Sequence, residues 1–285
     1  MLAALLLLVT CDKSTPAKAT SRPSVASLVP AATDLIIGMG AGDHLAAVSN
    51  FDTRPEMRDL PRVGDYQDID WERLASLRPD FLIVFMAPDR MPEGLRQHTD
   101  QLKIRLINMR MERLDDVLAE IRNLGDLLNE KEKASAAAAN LRGRLEAVRQ
   151  RVKGQPAVPT LIVRDIAGEA TAGRGNFIND ILEIAGGENV RKENGWPSTD
   201  RELLLSLKPQ VVLVLLPDAS PQAVGEAQRV WQSMSDVPAV VNRRVHLLTD
   251  WWMVQPGIHL ADLAERFADL LHPQSPKTRP TSVHP

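Results

Sequence analysis

Apolar and polar positions alternate along this chain in two rhythms. FLIVF (81–85) is apolar without alternation, the pattern of a parallel strand covered on both faces. Comparable short runs at 24–29, 44–49, 104–108, 160–164, 238–241 and 245–249 read as further strands. Between them the period lengthens. A short helix is expected to open at Thr33 or a neighbour, after Pro30 ends the first strand, and to close near Gly38 and Gly40. Others are expected at 176–185, 221–234 and 257–271. From 112 to 152 the chain reads as helical throughout. Leu114, Val117, Leu118, Ile121, Leu124 and Leu128 form one stripe. Ala134, Ala138, Leu141, Leu145, Val148 and Val152 form a second, at spacings of four and three. At 1.5 Å per residue, 131–152 makes a rod of about 33 Å, which GQPAVP (154–159) then breaks.

One unit occurs twice. DWERLASLRPDFLIV (70–84) and DRELLLSLKPQVVLV (200–214) share Asp, Glu, Leu, Ser, Leu, Pro and Val at matching places. In each copy the Asp can cap a helix, because its carboxylate accepts from free backbone N–H groups. The Pro ends the helix and an apolar strand follows. The fold class is therefore α/β: two sheet-and-helix lobes joined by a single long rigid helix. The expected boundaries are 24–128 for the N-terminal lobe, 129–155 for the connecting helix and 156–272 for the C-terminal lobe.

The two ends fall outside this pattern. Residues 1–10, MLAALLLLVT, are too few to cross a bilayer as a helix but suit the apolar core of an export signal. LVTC resembles the lipobox of bacterial lipoproteins, which makes Cys11 the lipidated residue; the alternative is a plain signal peptide cleaved nearby. Residues 1–23 then form an export signal and tether. The proline-bearing 273–285 is expected to be a disordered tail. Cys11 is the one cysteine, so no intrachain disulfide forms.

Composition narrows the chemistry. The 285 residues suffice for two domains. A net charge of −3 without a basic stripe speaks against nucleic acid as a partner. There is no G-x-S-x-G, no H-E-x-x-H and no phosphate-binding glycine loop. The six histidines are scattered without metal-ligand spacing. The aromatics are few, only 4 %, yet they are placed with regularity. Phe51, Phe85, Trp251 and Trp252 follow strands; Tyr66 and Trp196 precede the two repeated helices. In open parallel sheets, ligands bind outside the carboxyl ends of strands. These six residues therefore converge on one edge per lobe and line a ligand cleft between the lobes with flat apolar faces.

The chain resembles the substrate-binding proteins of bacterial ABC importers for cobalamin, siderophores and haem. Four stretches carry the resemblance: SLVPAATDLIIGMGAGDHLAAVSN (27–50), RVGDYQDIDWERLASLRPDFLIV (62–84), GRGNFINDILEIAGGENV (173–190) and WPSTDRELLLSLKPQVVLV (196–214). It is nearest to the cobalamin-binding branch. The resemblance implies a ligand-facing Trp196 and a late Asp250–Trp251 pair whose aspartate also faces the ligand. Phe51, Tyr66 and Phe85 fall where that branch has other aromatics. It also implies that Glu72 and Glu202, one per lobe, dock onto arginines of a membrane permease; the local alternative is that each favours the N-terminal dipole of its helix.

The expected protein is thus a monomeric receptor of the periplasm or cell envelope, tethered through Cys11. It is expected to be neither an enzyme nor a holder of a resident cofactor. It passes cobalamin or a related corrinoid to an ABC permease. Two alternatives stay open within the family: haem, with Tyr66 as axial ligand, and an anionic siderophore chelate held by Arg54, Arg164 and Arg174. A third is a metal-dependent enzyme on a chelatase-like fold, using His246 and His259.

Overall fold

The computed structural model describes residues 22–87 and 90–273. The apolar leader, Cys11 and the tail from 274 onward lie outside the described residues. Each lobe is built on a four-stranded, all-parallel sheet. The N-terminal lobe holds β1 (Val25–Ser27), α1 (Pro30–Gly38), β2 (Leu45–Ala47), α2 (Trp71–Leu77), β3 (Phe81–Val84), α3 (Glu93–Leu102) and β4 (Arg105–Asn108). Helices α4 (Leu114–Leu128) and α5 (Lys131–Val152) follow. The C-terminal lobe holds β5 (Val158–Val163), α6 (Phe177–Ile184), β6 (Gly187–Asn189), α7 (Arg201–Leu207), β7 (Val211–Leu215), α8 (Pro221–Gln232), α9 (Pro238–Val241), β8 (Val245–Leu248) and α10 (Leu260–Leu271). Strand order is β2-β1-β3-β4 in one sheet and β6-β5-β7-β8 in the other. The second sheet repeats the topology of the first.

The sequence repeat is repeated in detail by the backbone. The Asp70 carboxylate accepts from Arg73 N–H at 2.8 Å, and Asp200 accepts from Leu203 N–H at 2.8 Å. Both helices end on a left-handed residue, Arg78 at φ 49° and Lys208 at φ 46°. A buried proline follows each, and then the central strand.

Several expected elements are corrected. The run at 238–241 is a short helix, α9, because Pro238 sits at its first position, where a missing N–H costs nothing. For the same reason the first helix begins at Pro30 rather than Thr33. Helix α3 was not anticipated: its sequence, EGLRQHTDQL, buries only Leu95 and Thr99. Strand β6 was missed as well, since GEN has no β-forming residue and pairs only along the sheet edge.

Both apolar stripes of 112–152 are core. Every residue of the second stripe is buried, as are all of the first except the half-buried Leu114. The helical stretch is interrupted at Asn129, whose φ of 59° turns the chain between α4 and α5. At Gly125 a Cβ would meet that of Ala134 at 2.4 Å, so glycine lets these two helices approach closely. α10 lies along α5, clamped by Arg144, which donates to Glu265 at 3.0 and 2.9 Å and to Asp262 at 2.6 Å. One hydrophobic core runs from β1 and α1 through α4 and α5 into α6 and α10. A smaller core lies on the outer side of each sheet. The lobes therefore share their central packing rather than hanging from a thin hinge.

Two polar clasps reinforce this. Arg113, at the start of α4, donates from Nε at 2.9 Å and from Nη2 at 2.6 Å to Asp180 of α6, and Leu114 N–H donates to the same carboxylate. On the other side, the Asp34 carboxylate of α1 accepts from Ile258 N–H at 2.9 Å. Gly257 is required there, since a Cβ would sit 2.1 Å from Asp34 Oδ2.

Candidate functional site

The aromatic residues divide by place. Phe177, Phe267 and Trp231 are core. Phe51, Tyr66, Phe85 and Trp196 are exposed, at 52, 55, 46 and 46 %. All four lie beyond strand ends or before the repeated helices, where the hydrophobic effect alone would not leave a ring bare. Each is mounted by its local backbone.

Phe51 and Tyr66 ride on two loops tied together by Asn50 N–H donating to Gly64 O at 2.8 Å. Gly64 has φ 89° and lies so close to Asp68 O that a Cβ would stand 2.0 Å away. The resulting tip, 65–68, is closed by Gln67 N–H and Asp68 N–H donating to the Asp65 carboxylate. It presents Tyr66 with its ring 6.0 Å from that of Phe51. Phe85 follows β3 directly. The next residue is held from both sides by Asn108, whose side chain accepts from Met86 N–H and donates to Met86 O, each at 2.9 Å.

Trp196 stands on a loop strapped to residues 171–176. The carbonyls on either side of it are both bonded: Gly195 O accepts from Gly173 N–H and the Asn176 side chain, and Pro197 O accepts from the hydroxyl of Thr171 at 2.7 Å. At Gly173 a Cβ would stand 2.1 Å from Glu193 O. This explains the glycine and asparagine of the GRGN segment in structural terms. The Arg164 guanidinium lies over the Trp196 ring, 4.4 Å from its centroid.

Trp251 and Trp252 are half-buried on a single-turn helix at Trp251–Val254. Arg54 of the N-terminal lobe lies 4.6 Å from the Trp251 ring centroid, so the carboxyl edges of the two sheets meet here. His259 packs against both indoles, at 5.5 and 5.4 Å. A pocket of about 590 Å³ opens at this junction, walled by Arg54, Glu56, Asp218, Trp251, Trp252 and His259. Both tryptophans face it. Asp250, the residue before them, is exposed and its carboxylate caps nothing. A second pocket, about 530 Å³, lies beside Arg113 and Asp180 and has no aromatic residue in its walls.

Beneath Trp251 lies a charged group that sequence reading did not assemble. Arg54 donates to Asp34 at 3.0 Å and to Asp52 at 3.2 Å. Asp52 also accepts from the Thr33 hydroxyl at 3.0 Å. Both carboxylates are buried, and burial pushes both above the usual carboxylate range, against the opposing pull of Arg54 and of His259 on Asp34 and of Thr33 on Asp52. The only sequence signal was an Arg three residues after a strand-end aromatic. Arg54 is thus neutralised, whereas Arg164 has no acidic partner among the described residues. The three arginines of the siderophore alternative are therefore unequal.

His246 and His259 do not share a site. His246 lies on β8 near Arg244 and Arg266, which together with burial hold its pKa below the ordinary imidazole value. Among the described residues, no three His, Cys, Asp or Glu side chains are grouped as metal ligands. Glu72 and Glu202 are exposed in the first turns of α2 and α7, and neither makes an ion pair among the described residues.

Comparison with known proteins shows relatives that share this sequence and fold over most of its length. The vitamin B12-binding protein of Pectobacterium carotovorum is 26 % identical over 257 residues, covering 88 % of this chain and 89 % of its own. That of Vibrio cholerae is 28 % identical over 254 residues, covering 87 and 88 %. The crystal structure of the periplasmic vitamin B12-binding protein of Vibrio cholerae superposes with a TM-score of 0.72 at 26 % identity, covering 88 % of this chain and 96 % of that one. A periplasmic haem-binding protein from Pseudomonas aeruginosa superposes with a TM-score of 0.75 at 22 % identity, covering 89 and 94 %, a likeness of fold. The sequence description of the family named periplasmic binding protein matches residues 25–250. With two parallel-sheet lobes, a shared helical spine and that match over most of its length, the chain belongs to the periplasmic binding protein family.

Proposed function

We propose that this binding protein captures a corrinoid, cobalamin or a close relative, between its lobes and delivers it to the permease of an ABC importer. The observation that carries the reading is the partition of its aromatic rings. The four that are left exposed are mounted past strand ends or before the repeated helices, with Trp251 and Trp252 at the lobe junction. A corrinoid is broad and amphipathic, and its apolar faces suit such a set. Each ring that loses about 100 Å² of apolar surface to the ligand contributes about 2.5 kcal/mol before ordering costs are subtracted. Relatives that bind vitamin B12 match nearly the full length of the chain. Asp250, exposed and uncommitted, supplies an acceptor for the amide side chains at the ligand's rim.

Docking is assigned to Glu72 and Glu202. They occupy the same place in the two copies of the repeat, on opposite lobes, and their carboxylates are free to meet cationic side chains. Charge reversal at both is expected to leave ligand affinity unchanged and to abolish uptake in cells. Normal uptake by the double variant would return both residues to a role in helix stability alone. Cys11, in this reading, tethers the receptor to the envelope.

Haem is the second reading, favoured by one observation: Tyr66 is exposed, and among the described residues its hydroxyl accepts only a 3.3 Å contact from Gln67. The two are separated by mixing the protein with equimolar cyanocobalamin and haemin and recording the absorbance of the protein peak after gel filtration. Corrinoid bands are expected. A haem spectrum that is lost in Tyr66→Phe would establish the second reading instead.

A further inference from the structure

Arg164 directly follows the last residue of β5, at the carboxyl edge of the C-terminal sheet. It is exposed, and its guanidinium rests over Trp196. Partial desolvation by these surroundings holds its pKa below the ordinary guanidinium value. The nearest acid in sequence, Asp165, does not neutralise it. That carboxylate is turned into its own loop, accepting from the backbone N–H groups of Gly168, Glu169 and Ala170. The contrast with Arg54 is informative. Arg54 also lies on a tryptophan but is bonded to two carboxylates. Of the two arginine–tryptophan pairs among the described residues, the one at Trp196 makes no ion pair with another described residue, whereas that at Trp251 does. Arg174, on the strap that holds the Trp196 loop, makes no ion pair within 4 Å among the described residues, though its charge reaches Glu188.

A cation on an aromatic face keeps the ring's attraction while leaving N–H groups at its edge for an oxyanion. We propose that Arg164 is an anion subsite that takes the phosphodiester of a complete corrinoid. This rests on the corrinoid reading above. The peripheral side chains of a cobalamin end in neutral amides, whereas its nucleotide loop carries one phosphodiester. That group is anionic at every physiological pH, and its two free oxygens match a guanidinium fork. Trp196 then meets an apolar face of the ligand while Arg164 fixes which end of the ligand lies over the C-terminal lobe. The prediction is selectivity for cobalamins over cobinamides, which lack the nucleotide loop and its phosphate.

The test is titration of the full chain and of Arg164→Gln and Arg164→Lys with cyanocobalamin and with dicyanocobinamide, at low and at raised ionic strength. Arg164→Gln is expected to weaken cyanocobalamin about tenfold or more. Dicyanocobinamide should change by less than about threefold. Arg164→Lys should recover part of the loss, and added salt should weaken only the cyanocobalamin complex of the wild type. Equal losses for both ligands, or none for either, would overturn the subsite while leaving the corrinoid reading in place. Failure of the folded wild-type protein to bind either corrinoid would remove both.

Discussion

Trp196 is fixed from both sides, through the carbonyls of Gly195 and Pro197, yet its indole is nearly half exposed. We propose that a side chain so placed serves binding rather than stability. Trp196→Ala is expected to weaken corrinoid binding about ten- to a hundredfold, the equivalent of about 1.5–3 kcal/mol of lost burial, with little change in melting temperature. A loss of stability without loss of affinity would instead make Trp196 a packing residue. Arg54 should behave in the opposite way. Its removal leaves Asp34 and Asp52 buried without their shared counter-charge. Burial already raises the folded-state pKa of both above the unfolded value. The penalty is therefore absent below the unfolded carboxylate range and complete above the folded-state pKa. Arg54→Met is expected to cost about 3 kcal/mol at pH 7 and clearly less at pH 4.5, where the carboxyls take up protons. Denaturant unfolding of both proteins at the two pH values checks this; a loss independent of pH would contradict it. Sequence alone placed the exposed aromatics, because each stands next to a strand end or a helix cap that the pattern reveals. It did not reveal the Asp34–Asp52–Arg54 group, whose members come from one loop and a helix and meet only through tertiary packing.

At the scale of elements, the repeated helix and strand were legible because three local rules act together: an Asp cap, a terminating Pro and an unbroken apolar strand. The positions between cap and strand were not legible. Nothing in RP or KP announces that Arg78 and Lys208 adopt left-handed φ, which costs a residue with a Cβ about 1–2 kcal/mol. Arg78→Gly and Lys208→Gly are both expected to stabilise the protein, by up to about 1 kcal/mol each, measured by denaturant unfolding. Opposite signs at the two sites would show that the copies are not under the same local strain. The errors at this scale have two origins. α3 buries only Leu95 and Thr99, so its apolar signal is sparse although its residues favour a helix. In α9, four residues long, and in β6, which forms because β5 offers it an edge, tertiary context overrides propensity.

For the whole molecule, the long helix predicted over 131–152 is present at those residues. The sequence did not show how much else joins the lobes. The continuous core, the Arg113–Asp180 clasp and the Asp34–Ile258 bond add three connections beyond the rod itself. Large hinge closure would have to break a packed core that is not continuously deformable. Solution scattering curves of the free and loaded protein are expected to superpose. A marked contraction on loading would mean that the clasps open. Such rigidity suits the proposed site, whose rings are held by their local backbone, since little ordering is left to pay for on binding.

The most direct measurement is calorimetric titration of residues 22–285 with cyanocobalamin. The account predicts one site per chain, submicromolar affinity and a negative heat-capacity change from the burial of aromatic surface. A folded protein that gives no heat at several temperatures, and no change in tryptophan fluorescence, would contradict it.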